Sequence, residues 1–229
     1  MKTLGELVTA TRDLLDESSA RQWSDAQLRR WLLDGARDVA RRTESLQDRF
    51  SIPATAGTQE YLLPEDTVRI HRVEYVETSS EQTHTLEYRD WHTMDEVWWL
   101  SQTSTQQTPQ MWTMWGYPPN LKLVVYPTPA VGGAFKVFYY RLPLDLLDDG
   151  TQDTFPIELP EGWHDLAVEW AIVQAQRRDA DPRWQEARGI YEDHLKDLYQ
   201  TSIRWTDNAG MISSGSGAMV PQFLWDEGW

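Results

Sequence analysis

The chain is expected to be an α+β protein: helical hairpins at both ends form a helical body, a small antiparallel β domain is inserted between them, and an extended C-terminal arm follows. Three observations lead there. Apolar residues recur at helical spacing near both ends, they alternate with polar residues through the middle, and after Arg204 the chain becomes acidic, rich in Gly and Ser, and then aromatic. The expected units are an N-terminal hairpin at 1–48, the β domain at 49–159, a C-terminal hairpin at 160–206 that packs with the first, and the arm at 207–229.

Thr3 followed by Glu6 makes a capping box, and Leu4, Leu7, Val8, Leu14 and Leu15 trace a stripe that predicts a short helix to about Asp16. Ser24 with Gln27 is a second capping box. Beyond it Leu28, Trp31, Leu32, Ala36, Val39 and Ala40 keep i, i+3, i+4 spacing toward Ser45, so a second helix returns across Glu17–Trp23.

From about Arg49 the period shortens to two. Phe50–Pro53 and Gln59–Leu63 flank the turn Ala-Thr-Ala-Gly-Thr, and Val68–Val76 alternates apolar and polar, as a half-buried strand does. Thr83–Tyr88 is a pairing partner for it. Asp90–Leu100 reads as a short helix and Ser101–Gln107 as a polar loop. Gln110–Trp115, Leu121–Tyr126 and Ala134–Tyr140 are three further β runs, with Gly132-Gly133 expected as a hairpin turn before the last.

Helix returns after Pro160 through Trp163, Leu166, Ala167, Trp170 and Ala171. The Asp181-Pro182 break starts another helix through Trp184, Ile190, Tyr191, Leu195 and Leu198. After Arg204 no basic residue remains, while Asp207, Asp226 and Glu227 add acid. Gly and Ser at 213–217 form a flexible linker, and Val220, Pro221, Phe223, Leu224, Trp225 and Trp229 beyond it have the character of a docking peptide.

Composition narrows the function. The 229 residues are enough to bury a sizeable core, and with no cysteine both disulfides and thiolate zinc sites are excluded. Glu6, Asp13, Asp16 and Glu17 stand where a signal peptide needs an apolar core, and no run of apolar residues is long enough to span a bilayer, so the chain is expected in a cytoplasm and off the membrane. The net charge of −15 is uneven: residues 1–49 hold nine basic and nine acidic residues, leaving 12 basic against 27 acidic in the remainder. Such a surface repels phosphate and disfavours duplex binding, yet suits a wall past which DNA slides. Solubility alone is the commoner cause of an acidic balance.

Motifs for chemistry are scarce. Glu161-x-x-His164 has the spacing of a helical di-iron half-site but lacks the second copy such a site needs. Asp148–Asp153 has some carboxylates of a calcium loop without its alternation or distant Glu, and reads as a turn. The five His residues, His71, His84, His92, His164 and His194, fall in different expected elements. Phosphate-cradling Gly motifs are missing, and no cofactor is expected. Trp and Tyr, 13 and 9 against five Phe, suit protein interfaces. Among them Trp91, Trp98, Trp99, Trp112, Trp115 and Tyr117 could stack sugars, although core and subunit packing is the simpler use.

The order of elements resembles the adaptor proteins of tailed bacteriophages, also called head completion or head-to-tail connector proteins. The resemblance runs through TLGELVTATRDLLDE, WSDAQLRRWLLDGARDVA, YLLPEDTVRIHRVEYVE, LVVYPTPA, FKVFYYRLPLDLLDD and FPIELPEGWHDLAVEWAIVQA, in that order, over roughly residues 1–200. It implies a non-enzymatic virion protein at the neck, forming a homo-oligomeric ring of about twelve subunits between the portal and the tail nozzle or tail-tube proteins. Genomic DNA would pass its lumen without specific binding, and the C-terminal arm would reach onto the portal. Joined to the charge asymmetry, it makes Glu74, Glu77, Glu81, Glu87, Asp95 and Glu96 the expected channel-lining acids. The Trp richness and Gly/Ser arm depart from the family pattern. A tail-tube gatekeeper of the same particle shares this architecture, and a Trp-rich glycan-binding module is the alternative from another class.

Overall fold

The computed structural model describes residues 2–17, 22–94, 107–160 and 162–210, with backbone alone for the last ten. Helix α1 (Leu4–Leu14) and helix α2 (Asp25–Thr43) begin at the two expected capping boxes. The Thr3 hydroxyl accepts from the Glu6 amide at 3.3 Å while the Glu6 carboxylate accepts from the Thr3 amide at 2.8 Å, and Ser24 and Gln27 repeat the exchange at 3.3 and 3.1 Å. Each box satisfies amides that a helix start would otherwise leave bare. Arg12 then holds the connection between the helices. Its largely buried guanidinium donates to Asp25 at 2.5 Å, to Glu17 at 3.1 Å and to the Trp23 carbonyl at 2.8 Å.

Seven strands follow: β1 (Gln47–Ala54), β2 (Glu60–Leu62), β3 (Thr67–Glu77), β4 (Thr83–Tyr88), β5 (Met111–Trp115), β6 (Lys122–Tyr126) and β7 (Gly133–Arg141). The chain ends its described part with α3 (His164–Arg178) and α4 (Trp184–Gly210). The strands form one mixed sheet in the order β1-β7-β3-β4-β5-β6-β2. Its two edges, β1 and β2, are consecutive in the chain and joined by only residues 55–59, so the sheet curls until it is nearly closed. Tyr61 of β2 helps to shut it, with its ring 4.9 Å from Phe135 of β7 and its hydroxyl donating to the Thr58 carbonyl at 2.9 Å. Inward residues from every strand then form one core, including Ala54, Val73, Tyr75, Leu86, Trp112, Leu123 and Val137.

This architecture corrects the expected fold class. In place of a small inserted antiparallel β domain there is a seven-stranded, nearly closed mixed sheet, and β4 pairs with β5 in parallel. The turn at 55–59 joins strands that pair not with each other but with β7 and β6. Alternation specifies which side of a strand is apolar but not which strand lies beside it, and that is decided by closing the core. Nor is Gly132-Gly133 a hairpin turn, because β6 and β7 are not neighbours. Gly133 is needed because a Cβ there would strike the Val76 carbonyl and lie 2.8 Å from the Tyr75 ring. Thr83–Tyr88 does pair antiparallel with β3, as alternation predicts.

The helices likewise depart from two mirrored hairpins. The most extensive helix contact is between α2 and α3, which are far apart in sequence, and one core joins α1, α2, α3 and α4. Gly35 of α2 permits it: a Cβ there would come within 2.9–3.1 Å of Trp170 on α3. The sheet and the helical layer are linked by residues 142–160. Arg141 at the end of β7 pairs with Glu158 at 2.7 Å, and Arg29 of α2 with Asp153 at 2.6 Å.

Candidate interaction surfaces

Among the described residues, none of the groups suggestive of chemistry assembles into a reaction centre. His164 is buried in the helical core with Nε2 3.3 Å from the Ile157 carbonyl, and burial lowers its pKa. His194 meets Glu169 at 2.8 Å on the helical surface, and no cluster of three or more potential metal ligands occurs among the described residues. Residues 148–154 are successive turns. There Asp149 accepts from the Thr151 amide at 2.9 Å and Asp153 pairs with Arg29, so these carboxylates serve the loop and the helix beneath it. No helix among the described residues is long and apolar enough to cross a membrane.

What the fold does present is surface. Alternation along each strand sends one set of side chains into the barrel and the other outward, and the outward sets of the two halves of the sheet differ in chemistry. On β1-β7-β3, cross-strand register aligns Arg49 with Phe138 and Arg72, and Ser51 with Lys136 and Glu74. Arg69 lies across from Tyr140. The Arg72 guanidinium sits 5.4 Å from the Phe138 ring centroid and that of Arg69 5.3 Å from Tyr140. Arg69 also pairs with Glu44 at 2.5 Å, and Arg72 pairs with Glu74. Arg49 and Lys136 have no ion pair among the described residues. Four cations against two carboxylates make this a locally positive face on a chain of net charge −15.

On β5-β6-β2 the outward row is Trp115, Lys122 and Leu62. Trp115 is 50% exposed, Leu62 61% and Tyr117, just beyond β5, 87%, which is far more apolar surface than solubility asks for. Trp91 stacks on Trp115 with centroids 4.2 Å apart. Trp112 of the expected sugar platform is instead buried in the barrel, packed on Tyr88 at 5.0 Å, while Trp98 and Trp99 lie outside the described residues.

The expected channel acids divide. Glu74 is buried beside Arg72, so its charge is largely spent locally. Glu77 accepts from Ser80 at 2.6 Å and Ser79 at 2.8 Å, which holds its carboxyl below the ordinary carboxylate range and keeps it ionised. Glu81 is exposed in the β3–β4 turn with φ of 54°, and Glu87 is exposed on β4, paired with Arg89 at 2.8 Å. Asp95 and Glu96 lie outside the described residues, as do the arm residues Val220, Pro221, Phe223, Leu224, Trp225 and Trp229. Sequence reasoning missed the cationic face altogether. Its signal was the alternation of Arg49 and Ser51, of Arg69 and Arg72 around a bulge, and of Lys136 and Phe138, legible only once these strands are known to be neighbours.

A search of curated proteins returns no match to this chain. The model of the family described as SU10 adaptor protein matches residues 2–215, spanning the helical layer and the barrel. The chain belongs to this phage head-to-tail adaptor family. As an adaptor it is a structural component of a bacteriophage particle.

Proposed function

We propose that this adaptor is a non-enzymatic virion protein that forms a ring of about twelve copies at the head-to-tail junction, with the portal on one side and tail nozzle or tail-tube proteins on the other. The family match over 2–215 is the observation that carries the reading. Two features of the chain support it. The barrel exposes Trp115, Tyr117 and Leu62, which a free-standing monomer has no reason to display. Glu77, Glu81 and Glu87, together with Asp95 and Glu96, supply acid to a DNA channel and keep phosphates off its wall within a Debye length of ~8 Å. Glu74 contributes least, being buried as well as paired with Arg72.

In this reading the segment boundaries near 48 and 159 separate body and barrel, the body's last helix runs on past the expected boundary at 206 to Gly210, and the arm beyond it docks on the portal through Phe223, Leu224, Trp225 and Trp229. Pro221 biases the preceding residue to extended backbone, as a peptide lying in a groove requires. Assembly takes place in the host cytoplasm, where the finished protein becomes part of the neck. The test is native mass spectrometry of the full chain mixed with portal rings. A closed adaptor ring on the portal is expected, and a mixture that leaves only adaptor monomers overturns the reading.

A further inference from the structure

The strand order places three chemistries around the barrel in sequence: cations on β1-β7-β3, acid on β4, and exposed aromatic and apolar side chains on β5-β6-β2. The first and third belong to opposite halves of a nearly closed sheet. Arg49 on β1 and Lys136 on β7 are separated from Trp115 on β5 by at least two strands in either direction round the sheet, and Lys122, the one cation in the aromatic row, is already paired with Glu60 at 2.6 Å. Guanidinium and ammonium groups are attracted to the faces of indole and phenol rings, most strongly where water is displaced. The fold already uses that pairing internally, with Arg72 over Phe138 and Arg69 over Tyr140.

We propose that the lateral contact between neighbouring copies seats the cationic outer face of β1-β7-β3, through Arg49 and Lys136 flanking Phe138, on the Trp115, Tyr117 and Leu62 face of the next copy. A contact between two different faces of one chain is heterologous, and repeated by rotation it closes a ring. With β4 between the two faces, Glu87 and the acids of the β3–β4 turn are left free of the contact and available to a lumen. A second copy fits better than DNA as the occupant. Phosphate would satisfy the cations but leave the aromatic face bare, and the chain's net charge of −15 opposes approach of a duplex.

This assignment rests on the ring reading above, and the test separates the two. The chain has no cysteine, so a bifunctional maleimide reports only on introduced positions. The full-length double variant Lys136→Cys with Tyr117→Cys, assembled on portal rings, is expected to give a covalent ladder of adaptor multimers. Either single variant is expected to give none, because neither residue meets its own copy. The variant Arg49→Glu with Lys136→Glu is expected to keep its fold by circular dichroism and to lose about tenfold in affinity at each lateral contact, the loss of two modest cation–ring attractions. Rings that assemble without a ladder overturn the assigned faces and spare the ring. Lys136→Cys linking to itself or to the portal overturns them too, as does retention of a labelled duplex that Arg49→Glu with Lys136→Glu abolishes. Absence of any ring overturns both.

Discussion

Removing one oxygen from the helical core should cost this adaptor several degrees of thermal stability. Tyr191 of α4 is fully buried, with its ring 5.3 Å from Trp170 of α3 and its hydroxyl donating to Asp38 of α2 at 2.7 Å. One side chain thus joins three helices. Burial pushes the phenol far above its ordinary value, and the Asp38 charge adds to the effect, so the hydroxyl stays protonated and remains a donor. A hydrogen bond to a charged acceptor contributes ~1.5–3 kcal/mol. Asp38 is 14% exposed and keeps Arg42 at 3.4 Å, so Tyr191→Phe does not strand a bare carboxylate and the lower part of that range applies. A loss of ~1.5–2 kcal/mol in a chain of this length lowers Tm by about 3–8 °C. Tyr191→Ala, which also empties the ring's space, should lose ~3–5 kcal/mol. Thermal and urea unfolding followed by circular dichroism measure both. Should Tyr191→Phe melt within about 1 °C of the natural chain, the hydroxyl is not holding the helical layer together, and hydrophobic packing alone must account for it.

Three further outcomes are expected. Gly133→Ala drives a methyl into the Val76 carbonyl and the Tyr75 ring, so β7 must shift away from β3 and urea unfolding should show a loss of ~2 kcal/mol or more. Burial lowers the His164 pKa, so below its ordinary value of 6.5 the unfolded chain takes up a proton that the folded chain resists. Stability present at neutral pH is then lost as pH falls from 6.5 toward the folded value, and the drop in Tm between about pH 7.5 and 5.5 should shrink in His164→Gln. His71, whose pKa is lowered by burial and by Arg69 and Arg72, contributes with the same sign and accounts for part of the slope that remains. Finally, a chain ending at Thr206, and the triple variant Phe223→Ala, Leu224→Ala and Trp225→Ala, should fold and melt normally yet fail to join portal-containing heads in a sedimentation assay. Equal binding by the truncated chain would move the docking surface to the folded body.

The sequence by itself determined whatever depends on near neighbours in the chain. Both capping boxes, Thr3 with Glu6 and Ser24 with Gln27, start their helices as read, because the groups that satisfy the first amides are three residues apart. The strand runs were legible through their alternation, and the adaptor family through the order of its segments. Tertiary structure alone decided which strands meet. Alternation is unchanged by exchanging one partner for another, so nothing local separates a small antiparallel meander from a sheet that curls until β1 and β2 approach. Closure buries Tyr61, Tyr75, Phe135 and Trp112 in one interior, and that long-range gain selected the order. The same holds for the surfaces. Arg49, Arg72 and Lys136 are scattered through 88 residues of chain and become one cationic face only in register, while Glu74, an outward position by its period, is drawn into a pair with Arg72 on its own strand. Charge and apolar content are properties of composition, but a patch is a property of distance, and distances between far residues are set by the core that closes beneath them.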